Sequence, residues 1–201
     1  VLRNVGVPMV ESRTVGSDQE ARAAAKALGY PVVLKALAPD VAHKNKMGFV
    51  LAGLADEAAL EAAYTTLEER VRKNGYGRAD VTVILQPMKP GKAELIVGVS
   101  WEEPLGHFLI AGLGGIYTEV LNEVTLLSIP VARETIRTRI CDSRLGRLLQ
   151  HIGGESTVND VVATLGGLQS LIQMHGDRIQ SIDVNPLLVS EEGCIAVDAL
   201  I

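Results

Sequence analysis

Apolar residues fall into short runs punctuated by glycine, proline and acidic turns, with longer amphipathic stretches between them. Ser17-Asp18-Gln19-Glu20 has the form of a helix-capping box and predicts a helix to Leu28, stopped by Gly29. Pro31 to Leu37 then reads as a strand carrying one lysine, Lys35, and residues 38–48 as a polar loop. Phe49 to Leu54 is a second strand. Asp56 caps a long helix to about Lys73, ended by Asn74-Gly75. Strands follow at 81–85, 93–100, 107–112 and 124–129, helices near 133–140 and from Val158 to Met174, and closing strands at 179–189 and 194–199. The break at Gln86-Pro87-Met88-Lys89-Pro90-Gly91 divides the pattern into a smaller lobe, 1–85, and a larger one, 86–201. Hairpin-joined strands beside a few helices predict α+β lobes, not one doubly wound sheet.

The second closing strands carry the most informative chemistry. In Ile182-Asp183-Val184-Asn185-Pro186-Leu187 the side chains alternate, so Asp183 and Asn185 share one face. Asp198 joins them from the next strand. Oxygen donors collected on one sheet face suit Mg²⁺, which leaves its remaining positions to water and phosphate. The expectation is a site for a metal–nucleotide complex.

Composition narrows the partners. With 19 Lys plus Arg against 24 Asp plus Glu, the net charge is −5, which argues against nucleic acid, whose binding needs a basic face. Aromatics are 3%, so Val, Leu, Ile and Ala must fill the core. Cys141 and Cys194 lack metal-ligand spacing and read as small apolar residues in a reducing, cytoplasmic setting. No apolar run reaches membrane-spanning length. The chain opens at Val1, as a piece of a longer polypeptide would.

Other residues read two ways. Lys35 is either a solvent-facing strand lysine or a point-charge clamp on phosphate. His43 is either a surface histidine or a nucleophile for phosphoryl transfer, with Lys44 and Lys46 screening phosphate charge. Gly112, Gly114 and Gly115 permit a backbone turn close to an anion or serve a structural turn. The dinucleotide spacing G-x-G-x-x-G fails at Tyr117, so an oxidoreductase ranks last. Glu94 and Glu119 are either solvent-facing or aids to a metal or ribose.

Taken in order, several blocks resemble the ATP-grasp domain of NDP-forming acyl-CoA synthetases, the beta-type portion of ADP-forming acetyl-CoA synthetase, and more distantly succinyl-CoA synthetase. They are Gly6-Val7-Pro8, Gly29 to Lys35, Pro39-Asp40, His43-Lys44, Glu94 to Gly98, Gly112 to Ile116 with Glu119-Val120-Leu121, and the two closing segments. The resemblance implies two lobes clasping Mg²⁺ with ATP or ADP. It implies that Lys35 and Lys44 contact phosphates, Gln86 lies at the adenine and Glu94 in the nucleotide-binding strand. The turn at Gly112, Gly114 and Gly115 would receive the phosphorylated loop. His43 would carry the phosphoryl group, Asp183 would orient it, and Asn185 and Asp198 would hold magnesium. Phe49, Pro87 and Trp101 depart from the family's pattern, which usually has glycine, glutamate and arginine there.

The implied reaction is acyl-CoA plus ADP plus phosphate to acid plus CoA plus ATP, in either direction. CoA-binding and succinyl-CoA-ligase-like domains, with the small carboxylic acid and CoA, would lie on the same or a partner chain. The alternative is a non-catalytic nucleotide-binding or assembly module of a protein acyltransferase-type fusion. Neither reading involves nucleic acid or a membrane.

Overall fold

The computed structural model describes residues 1–38, 47–115 and 124–201. They form two compact units, Val10–Lys89 and a larger one of Val1–Met9 with Pro90–Ile201.

In the smaller unit, helix α1 (Asp18–Leu28) starts where Ser17 Oγ accepts from the Glu20 amide at 3.2 Å. Glu20 returns the bond one residue early, accepting from the Gly16 amide at 2.7 Å. Asp56 caps α2 (Glu57–Lys73), accepting from the Ala59 amide at 2.8 Å. Strands β1 (Arg13–Thr14), β2 (Val32–Leu37), β3 (Val50–Leu54) and β4 (Thr82–Pro87) form an antiparallel sheet in the order β1-β4-β2-β3. Val32, Leu34 and Ala36 point under the helices and are fully buried with Leu60, Leu67 and Leu85. The intervening Val33, Lys35 and Leu37 therefore face the other way.

The larger unit is built on a second antiparallel sheet. Its strands are β5 (Ala93–Glu102), β6 (Gly106–Leu113), β7 (Val124–Ser128), β8 (Ile182–Ser190), β9 (Gly193–Ala196) and β10 (Ala199–Leu200). The order is β10-β8-β5-β6-β7, with β9 also on β8. Helices α3 (Arg133–Asp142) and α4 (Arg144–His175) supply the apolar cover. Leu95, Val97, Leu109, Val184 and Leu187 pack with Val158, Val161, Leu165 and Leu168 in one core.

Three features differ from the sequence-based expectation. Helix α4 begins at Arg144, well before Val158. Leu145, Leu149 and Ile152 form a buried stripe at helical spacing, capped where Ser143 Oγ accepts from the Gly146 amide at 3.1 Å. The glycines hid that stripe, and Gly153 and Gly154 do leave helical geometry inside α4 (φ −146° and +67°). The last strand is two short ones, because Val197 and Asp198 leave the ladder. Residues 1–9 join the larger unit instead of the smaller lobe. A side chain at Gly167 would put its Cβ 2.3 Å from the Val5 carbonyl oxygen, so the first turn lies directly on α4. The Ala196 amide donates to the Pro8 carbonyl at 2.7 Å.

Candidate functional site

Val97 of β5 stands opposite Val184, yet Leu95 stands opposite Leu187. Between these pairs β5 has Ile96 alone, while β8 has Asn185 and Pro186. This bulge is where β8 tolerates a proline, and bulges re-aim side chains beside functional sites. Its backbone bonds to the segment that leaves the ladder. The Asn185 amide donates to the Asp198 carbonyl and the Val197 amide to the Pro186 carbonyl, each at 3.2 Å. The Asp198 backbone is thereby held across from that of Asn185. The Asp198 Oδ1 accepts from the Ala199 amide at 3.0 Å.

Asp183 stands opposite Gly98, which stands opposite Ile110, which stands opposite Leu126. Directly paired residues share a face, so this row crosses the sheet on the side away from α4. The neighbouring row runs through Ile96, Gly112 and Val124. Val184, Leu187 and Val97 are buried on the opposite side, while Asp183, Asn185, Val124 and Leu126 are exposed. The open face is thus an apolar floor with an oxygen-rich edge. Glu94 lies on the same face at the far end. Its carbonyl accepts from the Gly114 amide at 2.7 Å. Its carboxylate sits against Gly115, where a Cβ would lie 3.1 Å from Oε2.

Asp183 is the electrostatic pressure point. Partial burial pushes its carboxyl above the ordinary carboxylate value, and the Asp198 charge pushes it further. Two mutually repelling carboxylates beside an amide are a donor set that a hard divalent cation relieves. Among the described residues no three His, Cys, Asp or Glu side chains cluster as a metal site, and the candidate oxygen donors are Asn185 and Asp198, with the Asp183 carboxylate near Asp198.

The other predicted residues divide between the units. Lys35 and Gln86 are buried on the smaller sheet's second face, 6% and 5% exposed, so the solvated-lysine reading of Lys35 fails. Lys35 pairs with Ile84 and Val33 with Gln86. The Gln86 Nε2 donates to Ser12 Oγ at 2.8 Å. His43, Lys44, Lys46 and Glu119 lie outside the described residues.

The departures at Phe49 and Trp101 have structural explanations. Phe49 is fully buried and packs edge-on against Tyr76, so it serves the smaller core. Trp101 is exposed at the end of β5 and rests edge-on against His107, whose Nε2 lies 2.7 Å from the Ile179 carbonyl. Cys141 and Cys194 are free thiols, and burial raises the Cys194 pKa. No described helix is long and apolar enough to cross a membrane.

Gly98 and the floor residues Ile96 and Ile110 were given no role from sequence. A glycine between buried valines was the available signal, because an interior strand glycine marks a close approach.

A model described as an ATP-grasp domain matches residues 1–201. The chain is 34% identical over 96% of its length to a 4-hydroxybutyrate–CoA ligase (ADP-forming) of Nitrosopumilus maritimus, and spans 28% of that protein. It is 31% identical over its whole length to the beta subunit of acetate–CoA ligase (ADP-forming) II of Pyrococcus furiosus, covering 87% of it. Among solved structures, a dinucleotide-forming acetyl-coenzyme A synthetase 1 of Ca. Korarchaeum cryptofilum superposes with a TM-score of 0.78 at 25% identity, covering 98% of this chain and 86% of that one. That structure holds coenzyme A and Mg-AMPPCP, with a phosphohistidine segment pointing towards the nucleotide-binding site.

Proposed function

We propose, because this chain belongs to the ATP-grasp domain family, that it is the nucleotide-binding part of an ADP-forming acid–CoA ligase. The observation that carries this is the oxygen-rich edge of Asp183, Asn185 and Asp198 over an apolar sheet face. That arrangement fits a metal–nucleotide complex: the floor takes apolar surface and the edge takes the cation.

Asn185 and Asp198 would hold Mg²⁺. When bound, the ion would offset phosphate charge. Lys35, a compact point charge on the smaller sheet's second face, would pair with phosphate oxygens. Gln86, held by Ser12, would meet the base, and Glu94, Gly112, Gly114 and Gly115 would also serve nucleotide binding. Lys44 would add a second phosphate contact.

His43 would attack the phosphorus of an acyl phosphate. A P–N bond forms, the acyl P–O bond breaks and the carboxylate leaves. An oxygen of the ADP terminal phosphate then attacks the phosphohistidine; a P–O bond forms and the P–N bond breaks to return the imidazole. Asp183 would orient that imidazole, as a carboxylate fixes a catalytic histidine's tautomer. The acyl-phosphate and CoA sites would lie on domains outside this chain, which spans about a quarter of the single-chain relative.

Two measurements test this. Calorimetry of the chain should show ADP and ATP binding that requires Mg²⁺. Incubation of the full-length protein with ATP should add one phosphoryl group by mass, acid-labile and lost in His43→Asn. Absence of Mg²⁺-dependent binding at millimolar nucleotide would sink the reading. Binding without labelling in the intact parent would favour the non-catalytic module.

A further inference from the structure

We infer that Arg70 is a positioning residue for phosphoryl transfer: its guanidinium clamps the chain at Gly48, where the segment that carries His43 rejoins the smaller sheet. This rests on the reading of His43 as the phosphoryl carrier. The clamp itself is a matter of geometry within the smaller unit. Beyond the paired residues Lys35 and Val50, the Ala36 amide donates to the Phe49 carbonyl at 2.9 Å. Gly48 comes next, and its carbonyl accepts from Arg70 Nη1 at 2.8 Å. A cationic side chain from α2, not a strand, holds the chain there. Such charge-assisted bonds are roughly twice as strong as neutral ones.

Gly48 is shaped for this contact. Its φ of +68° is left-handed, a conformation that suits glycine. A Cβ built on it would lie 3.0 Å from Arg70 Nη1 and 3.3 Å from Arg70 Cδ, so the missing side chain is the seat of the guanidinium. Both sides of the contact are anchored in the core. Phe49 is fully buried. Arg70 is half-buried in the last turn of α2, whose Leu67 and Val71 are buried. The Arg70 carbonyl accepts from the Asn74 amide at 3.1 Å and from Asn74 Nδ2 at 2.8 Å, which fixes that turn. His43 stands five residues from Gly48. An extended residue spans about 3.3–3.6 Å, so a small error of direction at Gly48 grows along that length. The chemistry tolerates little of it. With ATP as donor, an imidazole nitrogen must approach the terminal phosphorus in line, and a P–N bond forms as the P–O bond to departing ADP breaks. A misplacement of about 1 Å can slow such a step about 100-fold.

The test is the rate at which the full-length protein gains acid-labile phosphate from ATP and Mg²⁺, measured beside its affinity for ADP with Mg²⁺. Arg70→Met keeps the length of the stem and removes the donors. It should slow labelling about tenfold or more and leave ADP affinity within about twofold. Methylguanidinium in the buffer should restore part of the rate, which a general loss of folding would not allow. Gly48→Ala should slow labelling too, and the double variant should be about as slow as the slower single one, because both changes break one contact. If Gly48→Ala fails to fold, Arg70→Met and its rescue decide alone. Labelling of Arg70→Met at the parent rate would overturn the proposal. So would an equal fall in labelling and ADP affinity without rescue. In both cases the parent still labels and His43 stands as the carrier. A parent that binds ADP and never labels would instead remove the carrier, and this role with it.

Discussion

Asp198→Asn should weaken Mg²⁺-dependent ADP binding by at least about 100-fold, close to 2.7 kcal/mol, while making the nucleotide-free protein more stable at neutral pH. Both effects come from one charge. A neutral amide is a poorer ligand for a hard cation than a carboxylate. The same substitution keeps the Oδ1 acceptor for the Ala199 amide, so the backbone around it has no reason to move. The stability gain follows from Asp183. Its folded pKa is raised above the ordinary value of 3.8, first by burial and then by Asp198. In the window between 3.8 and the raised value, the unfolded carboxyl has already lost its proton while the folded one keeps it. The folded state then binds more protons, so stability falls as pH rises through that window, and above it the full cost remains. Removing the Asp198 charge reduces this cost. Calorimetric melts should therefore show the variant above the parent at pH 7, converging once pH drops below the ordinary carboxylate range. A variant with unchanged Mg²⁺ dependence would take Asp198 out of the metal set. A variant that melts lower at neutral pH would contradict the repulsion.

That Asp183 and Asn185 share one exposed face was legible because period-two alternation requires only local regularity. The β8 bulge kept Asn185 on the correct face even though the register slips beside it. Helices α1 and α2 were legible because Ser17 and Asp56 are caps whose bonds form within one turn. The first half of α4 was not, because its glycines report packing that only the tertiary structure reveals. Gly146 has its place for a Cβ 2.1 Å from the Ile140 carbonyl. Residues 1–9 were misassigned to the smaller lobe for a similar reason: Leu2 and Val7 find their core through contacts with a helix far along the chain. Lys35 stayed ambiguous until burial was known, since alternation gives a face but does not say what covers it. Phe49 breaks a glycine pattern in sequence and fills the smaller core in the structure, so a departure from family pattern was packing.

Gly98→Ala should be among the most damaging single-methyl changes in the larger unit. A Cβ built at Gly98 lies 2.1 Å from the Ile182 carbonyl oxygen and 3.5 Å from the Asp183 Cα. Both obstacles are backbone, so no rotamer change relieves them. Relief requires β5 and β8 to separate, although that pair joins the sheet's centre to its oxygen-rich edge. Overpacking in a core costs about 1–3 kcal/mol where side chains give way. Here the backbone must move, and the expected loss is more than about 3 kcal/mol, a melting-temperature drop of roughly 10 °C. Gly166→Ala is the matched control. It lies inside α4 with nothing within 4 Å of its added Cβ, and should stabilise by about 0.5–1 kcal/mol through helix propensity and the unfolded chain. The two variants add the same methyl and should move in opposite directions. Where Gly98→Ala still folds, Mg²⁺-dependent ADP binding should fall with it, because Asp183 sits on the displaced strand. Equal melting temperatures for the two variants would mean that β5 and β8 do not approach as closely as the glycine implies. A destabilised Gly98→Ala that retains full nucleotide affinity would separate this strand pair from the site and leave Gly98 a packing residue only.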